Sequence, residues 1–372
     1  MPRRPQVCGE MAGKRNWEEM IGYEGKGGKR AMRGAVLLGC LLFLGGCGKT
    51  EENTALGMEA LKALDYQSAI EYFDVARAAG EGGKELSRAE GIAYMGMTQY
   101  DAAALCFLEA LSYSDGWVED VDYDINFYLA AAYTKEGRLQ EAEEIYSAIL
   151  DMQPGNDDAL FLRGNARMGQ DNYVEAKEDF DRVIAMDGKN FDRLIQIYEV
   201  LHSHGYKEVG QTYLRAAMDT NGEQMSAYDK GRMYYYLEEY QSAYLALETA
   251  KDQGGAEASL YLGKSYEATG DYNYAASVYN NYLAKDTSDA RIYNQLGLCE
   301  MARGDYFAAL SAFQAGMQIE DNDMMQSLLF NEAVTYEYLH DYRQAAVLME
   351  SYLRTYPDDQ VAKREYDFLS TR

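Results

Sequence analysis

The chain of 372 residues carries 61 acidic and 35 basic residues, a net charge of −26. The first 46 residues hold eight basic and four acidic residues, so the remaining 27 basic and 57 acidic residues make the rest of the chain strongly acidic. Such a surface repels nucleic-acid phosphates, which argues against nucleic acid as a partner. The 47% hydrophobic content is enough for a core, and four prolines with 34 tyrosines favour long helices rich in aromatic side chains.

A short apolar segment near the N-terminus is typical of a signal peptide. Residues 35–46 are apolar, and basic residues at positions 29, 30 and 33 precede them. The segment is shorter than the roughly 20 residues that cross a bilayer, so it predicts a secretory signal rather than a membrane span. The sequence LGGC at 44–47 resembles the bacterial lipobox. The resemblance implies a signal peptide at 32–46, cleavage before Cys47, and lipidation of the Cys47 thiol.

The expected lipid anchor predicts where the protein resides. Two or more acyl chains hold a protein stably at a membrane, whereas an acidic body adds no attraction to anionic lipids. We therefore expect a lipid-anchored protein on the extracytoplasmic face of a bacterial membrane, inner or outer. Residues 1–31 are longer than a signal peptide requires, and we treat them as an N-terminal extension, with Met20 or Met32 as alternative starts.

Beyond this segment the sequence repeats with a period of roughly 34 residues. The repeats align on one position, usually a tyrosine, which we call the anchor. Three residues after the anchor, eight of nine repeats carry alanine, and a bulky apolar residue follows four positions later. Nine residues before the anchor, eight of nine repeats carry glycine or alanine. The anchors are Tyr66, Tyr100, Leu139, Tyr173, Tyr206, Tyr240, Tyr272, Tyr306 and Tyr342.

This spacing predicts pairs of helices. Positions i, i+3 and i+7 share one helical face, and a small residue in the preceding helix allows close approach. One pair cannot bury its apolar face alone, so pairs must stack. The pattern resembles the tetratricopeptide repeat, whose proline after the second helix is matched by Pro154 and Pro357. The resemblance implies an all-α, right-handed superhelical α-solenoid of nine helix pairs over residues 47–357, with a C-terminal capping helix over 358–372.

Several other features were weighed. In repeat five, Ile197 and Val209 occupy the small positions, so we expect this pair to pack less tightly. The run Asp120, Asp122 and Asp124 is spaced like calcium ligands but lacks the glycine and closing glutamate of a calcium loop, which favours a solvated acidic loop. With three histidines and dispersed cysteines, no catalytic set, metal site or cofactor site emerges. We therefore expect a protein that is not an enzyme.

In tetratricopeptide arrays the first helix of each pair lines a concave groove. Carrying the family's groove positions over to repeats four to six gives an aromatic-rich strip with one arginine, residue types that dominate peptide recognition. In a chain with 34 tyrosines, packing alone is the alternative reading. The predicted peptide-binding residues are Phe161, Asn165, Phe191, Tyr198, Met225, Tyr228, Arg232, Tyr235 and Tyr236.

The features together predict a membrane-anchored, non-enzymatic scaffold that holds a protein or peptide partner of the cell envelope, in envelope assembly or secretion. The acidic rim would select basic or neutral partners. The family's clamp for acidic C-terminal tails is not supported, since only Asn165 and Arg232 resemble it. The alternative function is glycan binding, because tyrosine faces also stack on sugars.

Overall fold

The structure is a computed structural model that describes residues 52–114, 118–251, 255–320 and 322–372. Within these ranges it contains 19 α-helices and no strand. The helices are α1 (Glu52–Lys62), α2 (Tyr66–Ala78), α3 (Lys84–Gly96), α4 (Tyr100–Ser112), α5 (Asp120–Glu136), α6 (Leu139–Met152), α7 (Asp157–Gly169), α8 (Tyr173–Met186), α9 (Phe191–Ser203), α10 (Lys207–Asn221), α11 (Ala227–Tyr236), α12 (Tyr240–Ala250), α13 (Gly255–Ala268), α14 (Tyr272–Leu283), α15 (Ala290–Arg303), α16 (Tyr306–Gly316), α17 (Met325–Tyr338), α18 (Tyr342–Thr355) and α19 (Gln360–Leu369).

The helices form nine antiparallel pairs, from α1–α2 to α17–α18, and α19 packs against α18. Each second helix apart from α8 and α10 packs closely against the first helix of the next pair. First helices also contact one another, as α9 does α11 and α11 does α13. Because first helices approach each other more closely than second helices do, the stack curves toward them, and we call them the inner row. The predicted all-α solenoid of nine helix pairs and a final helix is confirmed.

The turn within each described pair ends in the same backbone conformation. The residue two positions before the second helix has a φ between +56° and +86° in every pair. Only glycine adopts this left-handed region without steric cost, yet five pairs place another residue there. The nine residues with positive φ in these turns are Leu64, Thr98, Gly137, Asp171, Gly205, Glu238, Gly270, Gly304 and His340.

The predicted close approach is confirmed in five pairs as a contact between a ring of the second helix and the backbone of the first, and in the sixth pair Leu247 takes the place of the ring against Gly231. A Cβ atom on Gly297 would lie 2.3 Å from the Phe313 ring, which is fully buried. One on Gly263 would lie 2.3 Å from the equally buried Tyr279 ring. Glycine is needed at these positions because a ring of the second helix lies where its side chain would be. The same contact joins Gly57 to Phe73, Gly91 to Phe107 and Gly164 to Phe180.

The fifth pair, which we expect to pack less tightly, does have a small contact residue, but at neither Ile197 nor Val209. Its second helix begins one residue later than the anchor spacing predicts, at Lys207, and the left-handed residue before it is Gly205. Gly210 is then the small residue, since a Cβ atom there would lie 2.9 Å from the Tyr198 ring. Leu214, seven residues after Lys207, is fully buried. The second helix of the fifth pair is thus shifted by one residue from the register that the anchors predict. The pair keeps the close contact between a ring and a glycine, but here the ring belongs to the first helix and the glycine to the second.

The expected solvated acidic loop is also wrong. Residues 120–126 form the first turns of α5, where negative charge is favourable. Asp122 is buried: it accepts a hydrogen bond from the backbone N–H of Glu119 at 2.9 Å and from the Lys84 ammonium at 2.9 Å. Asp124 pairs with Arg88. These carboxylates begin α5 and join it to α3.

The features predicted at the two ends of the chain have different outcomes. The extension at 1–31, the signal peptide at 32–46 and Cys47 all lie outside the described residues, and they stay predictions. At the other end, α19 buries Ala362 and Leu369 against the ninth pair.

Candidate functional site

The four central repeats carry polar side chains at a position that is apolar in the outer ones. This position lies eight residues before the second helix begins, and in every pair except the fifth it follows the small residue of the first helix. It is occupied by Asn165 in α7, Glu199 in α9, Arg232 in α11 and Lys264 in α13. Polar groups at this position are thus confined to one stretch of the inner row. The other repeats carry Met58, Ile92, Ala131, Leu298 and Val334 there.

Five tyrosines from three first helices surround this stretch. We call Tyr198, Tyr228, Tyr235, Tyr236 and Tyr261 the tyrosine cluster. The Tyr236 ring centroid lies 5.2 Å from those of Tyr198 and Tyr235 and 6.0 Å from that of Tyr261. The Tyr235 and Tyr261 rings meet nearly edge-on, 5.7 Å apart at 71°. Such contacts contribute about 0.5–1.5 kcal/mol each beyond burial, so the cluster holds α9, α11 and α13 in a fixed arrangement.

The cluster's hydroxyl groups are hydrogen-bond donors. The Tyr236 hydroxyl donates to Glu199 at 2.6 Å and lies 3.2 Å from the Tyr261 hydroxyl. Burial raises the pKa of Tyr198 to about 12, and it also raises the pKa of Tyr228 and Tyr235 above the ordinary value. These phenols stay protonated at neutral pH, because burial disfavours the phenolate. The site therefore presents aromatic surface and neutral donors rather than a base.

Arg232 is already paired within the protein. It is buried between two carboxylates, pairing with Asp192 and lying 2.7 Å from Asp229. Its guanidinium carbon lies 4.5 Å from the centre of the Tyr228 ring. Burial acts to lower the pKa of Arg232, yet the hydrogen bond to Asp192 and the neighbouring charges outweigh it and raise the pKa. Its charge thus holds α11 to α9.

Lys264 has unused hydrogen-bonding capacity. It is half-buried, with its ammonium nitrogen 5.9 Å from the centre of the Tyr261 ring. It forms no hydrogen bond or ion pair with any residue that the structure describes. Burial lowers the pKa of Lys264, although the charges of Glu267, Glu199 and Glu257 oppose this shift. A half-buried ammonium whose hydrogen bonds are not used within the described structure can donate them to a bound molecule.

The structure brings together five of the nine predicted site residues: Tyr198, Tyr228, Arg232, Tyr235 and Tyr236. Phe191 and Met225 pack into the apolar core between α9 and α11. Phe161 is buried on α7, and the guanidinium carbon of Arg193 lies 4.5 Å from the centre of the Phe161 ring. Asn165 is half-buried one helical turn after Phe161. That these residues bind a partner stays a prediction.

Sequence reasoning missed Glu199, Tyr261 and Lys264. Glu199 and Lys264 occupy the same repeat position as Asn165 and Arg232, so a correct alignment of the repeats would have identified both of them. Glu199 was hidden by the one-residue shift in the fifth pair. Lys264 becomes notable only when its lack of a partner is known, which requires coordinates.

Other candidate chemistry was sought in the described part of the chain. No helix there is long and apolar enough to cross a membrane, and no three or more His, Cys, Asp or Glu side chains are grouped to hold a metal ion. Cys106 and Cys299 are free thiols. Burial raises the pKa of both to about 12, so they are protonated and poorly nucleophilic at neutral pH.

Stacked helix pairs with a continuous inner row define the class of this protein, a helical-repeat solenoid. One tetratricopeptide repeat family model matches residues 88–159 and 262–322, and a second matches residues 133–198. The chain is a tetratricopeptide repeat protein. Repeats of this kind are protein-interaction modules, which indicates protein partners.

Individual proteins show more distant similarity. The chain is 27% identical over 146 residues to a DnaJ homolog subfamily C member 7 homolog from Dictyostelium discoideum. The match covers 36% of this chain and spans about a quarter (27%) of that relative's length. A tetratricopeptide repeat protein from Parabacteroides merdae is 13% identical with a TM-score of 0.43, over 77% of this chain and 98% of its own. MamA from Desulfovibrio magneticus is 15% identical with a TM-score of 0.41, over 48% of this chain and 99% of its own.

Proposed function

We propose that this protein is a non-enzymatic scaffold that holds a protein partner of the bacterial cell envelope on its inner row. We further propose that acyl chains on Cys47 anchor it at the extracytoplasmic face of a membrane. Its partner belongs to envelope assembly or secretion.

The observation that carries the proposal is the tyrosine cluster with Lys264 at its edge. Aromatic side chains on a rigid framework supply contact area without a large entropic cost on binding. Lys264 adds one donor whose hydrogen bonds are unused in the described structure, so a partner that supplies an acceptor can form a charge-assisted hydrogen bond there. No other stretch of the described inner row combines such a cluster with polar side chains at the position after the small residue.

The binding part is tested by quantitative pull-down from solubilised envelopes. Lys264→Gln removes one positive charge from the inner row. The matched control, Lys177→Gln, removes one positive charge from the second helix α8, where the Lys177 ammonium pairs with Asp181 at 2.7 Å. We expect at least one envelope protein to be recovered with the wild type and Lys177→Gln but lost with Lys264→Gln, with unchanged circular dichroism. Equal recovery with both variants would remove the inner row from consideration.

The anchor is tested separately, by metabolic labelling with a fatty acid. The wild type should incorporate label and fractionate with membranes, whereas Cys47→Ala should do neither. Label retained by Cys47→Ala would refute Cys47 as the lipidated residue without bearing on the groove.

Glycan binding is the second candidate, since tyrosine rings stack on sugars. The cluster's rings pack edge-to-face, which covers ring faces that a sugar would need. A glycan array that responded to the wild type, together with pull-downs that recovered no protein, would favour this candidate over the first.

A further inference from the structure

A cleft of about 700 Å³ opens where the turns within the seventh, eighth and ninth pairs lie side by side. We call it the turn cleft. It shares no residue with the tyrosine cluster, because it is formed by the ends of the helices rather than by the inner row. Its volume lies within the range of about 300–1,000 Å³ that is typical of binding clefts. Its larger side chains are Tyr272, Tyr274, Arg303, Tyr306, Phe307 and Leu339.

Two aromatic side chains of the turn cleft are unusually exposed. Phe307 is 72% exposed and Tyr274 is 65% exposed. Burying such side chains would contribute about 1.5–3 kcal/mol each, so exposing both leaves a gain that only a partner can realise. Neighbouring exposed aromatic side chains around a cleft are typical of interaction sites.

The fold does not require aromatic residues at these two positions. Phe307 is the second residue of its second helix, where seven of the other eight repeats carry polar residues and one carries Val174. Tyr274 is the third residue of its second helix, where no other repeat carries an aromatic residue. The polar residues equivalent to Phe307 are Gln67, Asp101, Gln140, Glu208, Gln241, Asn273 and Arg343, and the residues equivalent to Tyr274 are Ser68, Ala102, Glu141, Glu175, Val209, Ser242, Ala308 and Gln344.

Tyr274 is held in place although it is exposed. Its ring stacks on Tyr266 at 5.5 Å, and Tyr266 stacks in turn on Tyr244 at 4.5 Å. One face of Tyr274 is therefore supported by the solenoid. The cleft wall is preorganised, which lowers the entropic cost of binding.

The charges at the rim of the turn cleft favour a basic partner. Asp271 and Asp305 are both exposed there. The cation at the rim, Arg303, is held by both oxygens of Glu300, at 2.7 and 2.6 Å. The rim therefore presents two exposed carboxylates beside the exposed rings of Phe307 and Tyr274, on a chain of net charge −26.

We propose that the turn cleft is a second docking surface, which takes a short segment of a protein partner with an apolar side chain flanked by lysine or arginine. The apolar side chain packs between Phe307 and Tyr274. The flanking cations lie against Asp271 and Asp305. This surface acts independently of the inner row, so one molecule can hold two partners or two parts of one.

The test selects a phage-displayed library of random peptides on the full-length protein and measures binding of an enriched peptide by fluorescence anisotropy. The test variant combines Phe307→Gln and Tyr274→Ser, residues that repeats one and six carry at these positions, so the substitutions suit the fold. We expect enriched peptides to pair an aromatic or aliphatic residue with lysine or arginine. Affinity should fall about tenfold or more in the double variant and should be unchanged in Lys264→Gln.

Asp271→Asn tests the charge, because the Asp271 side chain makes no capping hydrogen bond to α14. It should weaken binding several-fold, and the loss should shrink at high salt. The proposal is overturned if no peptide is enriched, if enriched peptides are acidic, or if the double variant binds equally well. Self-association in sedimentation velocity that the double variant abolishes would identify a second copy as the occupant and overturn it too.

Discussion

Replacing Gly297 with alanine tests the contact between a ring of the second helix and the backbone of the first, which five of the nine pairs share. In an exposed helix the change would stabilise by about 1 kcal/mol, because alanine is the better helix former. Here the new Cβ atom would lie 2.3 Å from one Phe313 ring carbon and 2.6 Å from two others. Ordinary carbon contacts lie at about 3.5–4.0 Å, so the ring must move by more than about 1 Å.

The Phe313 ring has no free space to move into, since it is fully buried. Overpacking of this kind costs about 1–3 kcal/mol, and the severity of the overlap places Gly297→Ala at the upper end. After the gain in helix propensity, we expect a net loss of about 2 kcal/mol. The sign is opposite to the one that propensity alone predicts.

The ninth pair supplies the matched rescue. It carries Ala333 and Met349 where the eighth pair carries Gly297 and Phe313, and both side chains are fully buried. Adding Phe313→Met to Gly297→Ala should therefore recover most of the loss, because a flexible methionine makes room for the methyl group. Urea unfolding followed by circular dichroism measures all four proteins of the cycle. A Gly297→Ala variant as stable as the wild type, or a double variant that shows no coupling, would refute the reasoning.

Three further predictions concern single residues. Burial and a hydrogen bond to Glu365 raise the pKa of Glu337 from 4.5 to about 7. The contribution of Glu337 to stability is therefore complete below pH 4.5 and lost as the pH rises through 7. Glu337→Gln should stabilise the protein by about 1–2 kcal/mol near pH 8 and not at all near pH 4.5, and a pH-independent effect in thermal unfolding would contradict this. Thr98 has a φ of +60°, which glycine adopts without strain and alanine does not, and its buried hydroxyl lacks a partner in the described structure. Both Thr98→Gly and Thr98→Ala remove the hydroxyl, so Thr98→Gly should be the more stable of the two by about 1 kcal/mol in urea unfolding, and equal stability would contradict this. Asp179 is buried and forms ion pairs with two arginines of α7 at 2.7 and 2.8 Å. Asp179→Asn should therefore lower the free energy of unfolding in urea by about 3 kcal/mol. A loss below about 1 kcal/mol would show that the arginines find other partners.

Most of the fold followed from residue spacing. In eight of nine pairs the anchor is the first residue of the second helix, as at Tyr100 and Tyr306. The fifth pair failed because Tyr206 imitates an anchor: its ring stacks on Tyr173 at 4.0 Å, although the helix begins one residue later. A local pattern cannot separate these two registers, and the left-handed Gly205 decides between them.

The sequence by itself determined which helices pair and where most of them begin, because those properties depend on periodicity and on where a small residue stands opposite a bulky one. Only the tertiary structure decided what each polar group has left to bind. Arg232 and Lys264 are alike in sequence, yet Arg232 is paired with two carboxylates whereas Lys264 has none. Hydrogen bonds and ion pairs depend on atoms brought together from repeats about 34 residues apart, and repeat spacing does not record those distances.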